Sequence, residues 1–282
     1  MTQSEIWSWR HFSLDRRSPG YCRVTFAHPP INTITATTVE ELGELVGLIE
    51  QDADLNVVVF ASANPDFYLA HYDAEHDPSR TLALGVGPTG MHAWLDLLVR
   101  LSRAPVVSIA SIRGRARGAG SEFVLACDLR FASRQNTLIG QFEVGMGVVP
   151  GGGPMARLSR LVGRGRALEI LLVADDLDGP RAEQYGYVNR VVDDDGLDDE
   201  VEEIASRLAR FDHDAIARTK AYVDQVTLPA DSELPPALVD FFELLGSPAR
   251  QEQFARLEAL GWGIDSDLER RLGRRVVESA PD

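Results

Sequence analysis

Residues 113–128, RGRARGAGSEFVLACD, decide the fold because they join two apolar runs, VVSIASI at 106–112 and LRFA at 129–132. Short runs of this kind are typical of buried strands. The joining segment holds Gly118, Ala119 and Gly120, small residues that allow another backbone or a ligand to approach closely, followed by a helical stretch to about Cys127. A strand, a helix and another strand in this order predict an α/β core with mostly parallel strands.

The same alternation extends outward from this segment. A helix is predicted at 38–51, with Thr38 and Glu41 spaced as a capping box, and the polar stretch 61–90 is predicted to be mostly loop. Beyond Val192 the pattern is helical, which predicts a core at 1–192 and a C-terminal helical region at 193–282. The other predictions are strands at 21–26 and 56–60 and helices at 91–102, 155–161 and 167–173.

The charge balance excludes some classes of partner. The 282 residues carry a formal net charge of −15, which argues against nucleic acid and against an anionic membrane surface as partners. A small anionic ligand stays possible, because Arg113, Arg115 and Arg117 lie together in the sequence.

The cysteines and the N-terminus bear on the compartment. Cys22 and Cys127, the only two cysteines, lie in apolar runs without CxxC spacing and are expected to be free thiols in a reducing compartment. The N-terminal residues lack the apolar core of a secretory signal, and no run is long enough to span a bilayer. We therefore expect a cytoplasmic protein.

Several common site motifs are absent. The glycine-rich stretches complete neither a P-loop nor a GxGxxG fingerprint. His71, His76 and His92 lack HExxH spacing, so no metal site is expected. Ser121 lies outside a GxSxG elbow and is not expected to be a nucleophile.

Two glutamates stand in apolar surroundings. Glu122 lies in the first turns of the predicted helix, with Gly118, Ala119 and Leu125 among its i±3 and i±4 neighbours. Glu143 is the only charged residue of IGQFEVGMGVVPGGGP, residues 139–154. Desolvation would raise the pKa of a carboxyl group in such a place, which suits general acid–base chemistry. A dipole-complementing glutamate and a solvent-facing glutamate are the structural alternatives.

These segments resemble the enoyl-CoA hydratase/isomerase family, the crotonases, over about residues 21–192. HPPINTI at 28–34 is similar to the family's early HP-x-x-N signature, and DFYLAHYD at 66–73 to its FSAGAD loop. The segment 114–128 resembles G-x-A-x-GGG-x-EL-x-x-x-CD, and 140–153 resembles GQPE-x-x-x-G-x-x-PG-x-G. The stretches 161–167 and 182–192 resemble the family's downstream LVG-x-x-x-A and A-x-x-x-GLVN-x-V runs.

The resemblance implies a spiral of ββα repeats with C-terminal helices used for trimerisation, giving a homotrimer or a dimer of trimers. It implies an acyl-CoA substrate and no cofactor beyond the coenzyme A that the substrate carries. It assigns an oxyanion hole to the backbone N–H groups of Tyr72 and Ala119, and acid–base catalysis of water addition to Glu122 and Glu143. The residues expected to contact the acyl-CoA are Ile34, Ala70, His71, Asp73, Gly118, Gly120 and Phe142.

Three departures from the family pattern affect the expected site. His71 and Tyr72 replace small residues of the loop, so that His71 could add an acid–base group and Tyr72 could narrow the channel. Phe142 stands where proline is common in the family, and the run before Glu143 is one residue longer than the family's usual spacing. The stretch 234–272 is predicted to be additional amphipathic helix, more typical of an assembly face than of a substrate lid. An isomerase, a β-dicarbonyl hydrolase and a non-catalytic scaffold remain alternatives to a hydratase.

Overall fold

The fold is built from ββα units, each of which gives one strand to a large sheet, one strand to a small sheet, and a helix. The computed structural model describes residues 6–73 and 78–279. Parallel pairing between successive units brings the ends of corresponding strands to the same edge. This confirms the predicted α/β class and the predicted spiral of ββα repeats.

The large sheet has seven strands within the described residues, and pairing becomes parallel from the third strand onward. In spatial order they are β1 (Ile6–Ser8), β2 (Phe12–Ser18), β3 (Tyr21–Phe26), β4 (Val57–Ser62), β6 (Val107–Ile112), β8 (Leu129–Ser133) and β11 (Arg190–Val192).

The small sheet has four strands within the same residues and runs beside the catalytic candidates. In spatial order they are β10 (Leu177–Asp178), β9 (Leu138–Gly140), β7 (Arg115–Arg117) and β5 (Phe67–Leu69).

Helices cover both faces of the large sheet and form the C-terminal region. They are α1 (Ala36–Gln51), α2 (Pro78–Ala83), α3 (Ala93–Arg103), α4 (Ala119–Ala126), α5 (Pro154–Val162), α6 (Arg164–Val173), α7 (Gly179–Tyr185), α8 (Leu197–Leu208), α9 (His213–Thr227), α10 (Pro235–Leu245), α11 (Pro248–Ala259), α12 (Asp267–Arg270) and α13 (Leu272–Arg275). Short 3₁₀ turns occupy Glu143–Met146, Asp194–Gly196, Asp231–Glu233 and Val276–Ser279.

Strand β4 shows how the sequence places the core. Its residues are buried on both sides, since Val57 and Val59 pack toward α8 while Val58 and Phe60 pack toward the main core. A continuous apolar run is what a central parallel strand requires. Residues after 193 therefore contribute to the core as well, because Leu197 of α8 covers the outer face of the sheet.

One local prediction, the capping box at Thr38 and Glu41, was wrong, and the structure adds detail to two others. The cap of α1 is Thr35, whose hydroxyl accepts from Thr38 N, while Glu41 instead accepts from the Arg10 and His11 backbone. The stretch 61–90 contains β5 and α2 in addition to loop. The stretch 234–272 is several helices, because Gly246 and Ser247 end one and begin the next.

Candidate active site

A cavity lies at the N-terminus of α4 and brings together six of the residues predicted from sequence. It has a volume of about 70 Å³. Those residues are His71, Tyr72, Ala119, Glu122, Phe142 and Glu143. The wall is completed by apolar and aromatic side chains from α3, from the turn after Glu143 and from the C-terminal helices, so a ligand here would be largely shielded from water.

Glu122 is held by two N–H donors, one on each carboxylate oxygen. The Trp94 indole donates to Oε2 over 2.8 Å, and the Gly152 backbone N–H donates to Oε1 over 2.7 Å. Burial raises the pKa of Glu122, and these two donors and the charge of Arg157 act against that rise. Hydrogen bonds from N–H groups favour the charged carboxylate, so Glu122 is placed to act as a base.

Glu143 lies in a short 3₁₀ turn and is buried, 7% exposed. Burial, and next the charge of Glu122, raise the pKa of Glu143 well above its ordinary value. With its amide nitrogen turned toward Glu143, Gln141 donates to Glu143 Oε2 over 3.0 Å and accepts from Ser121 Oγ over 2.9 Å. Two neighbouring carboxyl groups of this kind can share a proton, and the pKa of Glu143 is the more strongly raised of the two.

The extra residue and Phe142 do not remove Glu143 from the site. A Cβ built on Gly118 would lie 2.7 Å from Glu143 Oε1 and 2.9 Å from Phe142 Cε1. Gly118 also has φ 50° and ψ −123°, a conformation that favours glycine. Glycine at this position thus lets the turn carrying Glu143 pack directly against the start of α4.

Tyr72 and Ala119 both line the cavity, and within the described residues neither backbone N–H has a backbone acceptor. Ala119 is the first residue of α4, where an N–H has no partner within the helix. In the bridge between Ile34 and Tyr72, Ile34 N donates to His71 O and Asp73 N donates to Ile34 O, each over 2.8 Å. This pairing engages His71 O and Asp73 N, the groups on either side of Tyr72. The N–H of Tyr72 therefore points away from Ile34.

The loop before Tyr72 is held by Asn32, which lies in the predicted HPPINTI segment. Its amide nitrogen donates to Phe67 O over 3.0 Å and to Tyr68 O over 3.1 Å, and its oxygen accepts from His28 N. Asn32 has φ 55°, a conformation that asparagine tolerates better than most residues. His71 and Tyr72 have no positive φ, so replacing the family's small residues does not strain this backbone.

His71 is fully engaged and is not the free acid–base group that the sequence allowed. Its Nε2 lies 2.8 Å from Glu269 Oε1 and its Nδ1 lies 3.2 Å from Tyr72 O. Desolvation acts to lower the pKa of His71, but the charge of Glu269, the hydrogen bonds to Glu269 and Tyr72 O and the charge of Asp73 together outweigh it, and the net pKa is raised. The Tyr72 ring does not fill the cavity; its hydroxyl donates to Thr81 over 3.3 Å.

The C-terminal helices form the far wall, so 234–272 contributes to the cavity, and its use as an assembly face stays a prediction. Their contribution is Leu238, Phe241, Phe242, Leu245, Arg250 and Trp262. Trp262 stacks on His71 with ring centroids 3.9 Å apart and meets the edge of Phe142 at 5.8 Å. Sequence patterns gave no sign of this contact, because these residues lie more than 90 positions after Phe142.

Other predicted contact residues lie behind the cavity wall. Ile34 and Ala70 are buried, Asp73 borders the segment outside the described residues, and Gly120 packs on Leu69 O, where a Cβ would come within 2.0 Å. None of these is part of the wall, nor is Gly118, so their contact with an acyl-CoA stays a prediction. His76 lies outside the described residues.

Sequence reasoning missed Trp94, Gly152 and Gln141. Gln141 could have been found, since it occupies the glutamine of the GQPE motif two residues before Glu143. Trp94 resembles any other core residue of an amphipathic helix, and no local pattern indicates its bond to Glu122.

The arginine cluster is not an anion site, which corrects the sequence interpretation. Arg113 pairs with Asp194 and Asp198, and Arg117 pairs with Asp176. Arg115 donates to the carbonyls of Arg270 and Asp66. All three guanidinium groups therefore hold the fold together.

Other expectations concern residues outside the cavity. Ser121 is fully buried, and its hydroxyl bonds with Tyr187 and Gln141. Both cysteines are buried free thiols. Within residues 6–73 and 78–279, no three His, Cys, Asp or Glu side chains are grouped as metal ligands. No helix in that part of the chain is long and apolar enough to cross a membrane.

Comparison with known sequences gives the family. The sequence model of the enoyl-CoA hydratase/isomerase family matches residues 16–252. This chain belongs to the enoyl-CoA hydratase/isomerase family. It is an enzyme of that family.

Two relatives of this enoyl-CoA hydratase/isomerase family member are named as hydratases. A short-chain-enoyl-CoA hydratase from Clostridium acetobutylicum is 34% identical over 190 residues, covering 66% of this chain and 70% of its own. A crotonyl-CoA hydratase from Syntrophomonas wolfei is 31% identical over 197 residues, covering 69% of this chain and 74% of its own.

A solved structure extends the likeness to the C-terminal helices of this family member. A candidate enoyl-CoA hydratase from Streptomyces avermitilis is 39% identical, with a TM-score of 0.91, and the match covers 97% of this chain and 98% of that one. The helices that close the cavity therefore have counterparts in that protein.

Proposed function

We propose that this enzyme adds water across the double bond of a 2-enoyl-CoA thioester. The observation that carries the proposal is the unequal pair of carboxyl groups in one cavity. Glu122 accepts an N–H on each oxygen, while Glu143 is buried beside that charge. One base and one acid is the combination that addition of water to a double bond requires.

The N–H groups of Tyr72 and Ala119 would bind the thioester oxygen. Donors placed where negative charge develops stabilise the enolate, and losing one such donor costs about 3 kcal/mol of barrier. The substrate would lie with its C2 and C3 atoms between the two carboxyl groups.

The addition then needs two proton transfers. Glu122 removes a proton from water as the oxygen forms a bond to C3, and the π electrons move toward the thioester oxygen as an enolate. Glu143 delivers its proton to C2, and the carbonyl is restored. The product is a 3-hydroxyacyl-CoA, and exchange with solvent returns the proton from Glu122 to Glu143. The names of the two relatives support hydration as the reaction. Both names specify substrates with short acyl chains.

The direct test is a panel of 2-enoyl-CoA thioesters with short, long, branched and aryl acyl groups, followed by loss of the conjugated enoyl absorbance. We expect water addition by the wild-type enzyme and a fall in kcat of about 100-fold or more in Glu122→Gln and in Glu143→Gln, since each removes one acid–base step. Glu203→Gln, a change at an exposed glutamate, is the matched control and should be unaffected.

Three outcomes would count against this function. Full turnover by both glutamine variants would exclude the paired-carboxylate mechanism. Conversion of a 3-enoyl-CoA to its 2-enoyl isomer without hydration would indicate an isomerase, and release of free coenzyme A thiol would indicate a hydrolase. Absence of binding heat with acyl-CoA up to millimolar concentration would favour a non-catalytic scaffold.

A further inference from the structure

The buried pair of His71 and Glu269 joins the loop of the candidate oxyanion hole to the C-terminal segment. Both side chains are 1% exposed, and the two residues are 198 positions apart. Glu269 Oε1 also accepts from Gly263 N over 2.9 Å. Charge on both partners is consistent with these contacts, because each ring nitrogen of His71 faces an acceptor, Glu269 Oε1 or Tyr72 O.

The ring of His71 holds the peptide group between Tyr72 and Asp73. Its Nδ1 bonds to Tyr72 O, and its own carbonyl accepts from Ile34 N. These two contacts fix the peptide groups on both sides of the Tyr72 α-carbon. The N–H of Tyr72 belongs to the peptide group between His71 and Tyr72, which the Ile34 bond holds directly and which the His71 ring constrains through the Tyr72 α-carbon.

The segment that carries Glu269 is anchored to the same region at several points. Arg115 Nε donates to Arg270 O over 2.9 Å, and the Arg270 guanidinium pairs with Asp66 over 3.1 Å. Trp262 of this segment stacks on His71. The C-terminal segment thus meets both the loop before Tyr72 and the ring of His71.

Stability alone is a weak reason for a charged pair in this place. Removing two charges from water is costly, and apolar residues of similar size often stabilise a core as well or better. A charged pair does have one property that apolar packing lacks, since a hydrogen bond fixes the direction of the groups that it joins. The aromatic neighbours, Phe142 and Trp262, already supply the apolar contact.

We propose that Glu269 is a positioning residue for the oxyanion hole, acting through His71 to direct the Tyr72 backbone N–H into the cavity. The oxyanion hole then depends on docking of the C-terminal segment 260–279. This inference rests on the proposed function only as far as the oxyanion hole, and not on the addition of water.

The test measures the oxyanion hole separately from hydration. Acetoacetyl-CoA loses a proton from C2 to give an enolate with its own near-ultraviolet absorbance, and donors at the thioester oxygen stabilise that enolate. Titrating the absorbance of the bound ligand against pH therefore reports the strength of the hole. Butyryl-CoA, which forms no enolate under these conditions, reports binding to the rest of the site by calorimetry.

We expect Glu269→Gln to weaken enolate stabilisation and kcat by about tenfold or more, which is part of the 100- to 1,000-fold cost of losing a donor outright. Butyryl-CoA affinity should change by less than about threefold, since ground-state contacts stay in place. Glu278→Gln removes one charge from the same segment at an exposed site paired with Arg275, and it should match the wild type.

A second variant covers the case in which Glu269→Gln fails to fold. His71→Gln should weaken enolate stabilisation by a similar factor, and the double variant should be no worse than either single one, since both act through one contact. The proposal is overturned if Glu269→Gln or His71→Gln behaves like Glu278→Gln. Equal losses for acetoacetyl-CoA and butyryl-CoA would also overturn it, because they would show a general collapse of the site.

The two proposals can fail separately. If the wild type stabilises the enolate but hydrates no 2-enoyl-CoA, the hydratase function fails and the role of Glu269 stands. If the wild type hydrates a substrate and the Glu269 variant keeps full enolate stabilisation, the role of Glu269 fails alone.

Discussion

The difference between the two glutamates comes from single atoms of their neighbours. Glu122 receives an N–H on each oxygen, one of them from Trp94, and Glu143 has the charge of Glu122 beside it. Both pKa values are raised, that of Glu143 further than that of Glu122. Burial is the largest cause of both shifts, and Trp94, which takes no part in bond making, is one of the groups that hold the pKa of Glu122 down.

Trp94→Phe tests this control. It removes the N–H donor and keeps most of the ring, so the pKa of Glu122 should rise further and the protein should still fold. Because Glu122 must be ionised to accept a proton from water, the acidic limb of the kcat/KM profile should move to higher pH. We expect kcat near neutral pH to fall about tenfold, in line with the 1.5–3 kcal/mol of a hydrogen bond to a charged group.

The pH profile is the measurement, and the alkaline limb is its internal control. That limb should stay in place, because loss of the Glu143 proton does not involve Trp94. A profile that is lowered evenly at every pH would contradict this account of the indole.

At the scale of elements, α4 can present Ala119 and Glu122 to the cavity only because it packs tightly on the neighbouring strand. A Cβ on Gly120 would lie 2.0 Å from Leu69 O, which is a backbone atom of β5. Backbone cannot move aside as the end of a side chain can, so glycine at this position is required by the packing of the helix on the small sheet.

Gly120→Ala should therefore destabilise the protein by about 2 kcal/mol or more, as overpacking of a tight core does. Gly165→Ala is the matched control, since Gly165 lies in α6 with nothing within 4 Å of a built Cβ. It should be neutral or stabilise the protein by about 0.5 kcal/mol. Urea unfolding followed by circular dichroism compares the two, and equal stabilities would contradict the packing argument.

At the scale of the whole molecule, the His71–Glu269 pair makes stability depend on pH. The charge of Glu269 raises the pKa of His71 above 6.5 despite burial, and His71 lowers the pKa of Glu269 below 4.5 despite burial. The His71 contribution is complete below 6.5 and is lost as pH rises through its folded value. The Glu269 contribution is complete above 4.5 and is lost as pH falls through its folded value.

Between about pH 4.5 and 6.5, Glu269→Gln should lower the free energy of unfolding by about 3 kcal/mol, as breaking a buried pair does. The deficit should shrink at alkaline pH, where His71 is neutral in the wild type as well. Denaturant unfolding across pH measures it, with Glu278→Gln as control. A deficit that is constant with pH would show that the pair is not charged.

Assembly remains a prediction, and α9 is where the described chain supports it. This helix buries none of its residues, and Tyr222, Val223 and Val226 are 73%, 53% and 82% exposed. Val226→Glu should shift a homotrimer or dimer of trimers toward monomer in sedimentation velocity. Val86→Glu, at a site 74% exposed, should leave assembly unchanged. Equal sedimentation of both variants and the wild type would exclude α9 from the interface.

The sequence by itself determined the alternation of strands and helices and the two acidic residues, and the family resemblance added the spiral of ββα repeats. Strand β3 and the joining segment before α4 follow from local apolar patterns, and such patterns are visible because side-chain burial repeats with the period of the element. Residues 118–122 and 139–154 likewise carry their glycines and lone carboxylates in short, continuous stretches, so their place beside one cavity could be expected from the family resemblance.

Only the tertiary structure decided how the cavity is closed and how its charges are set. The pairing of His71 with Glu269, the bond from Trp94 to Glu122 and the stacking of Trp262 on His71 each join distant parts of the chain. Such contacts leave no periodic signal, because either partner alone resembles an ordinary core or surface residue. The same holds for Arg113, Arg115 and Arg117, which bind carboxylates and carbonyls within the fold. A charged residue in a sequence does not show which carboxylate or carbonyl it will bind.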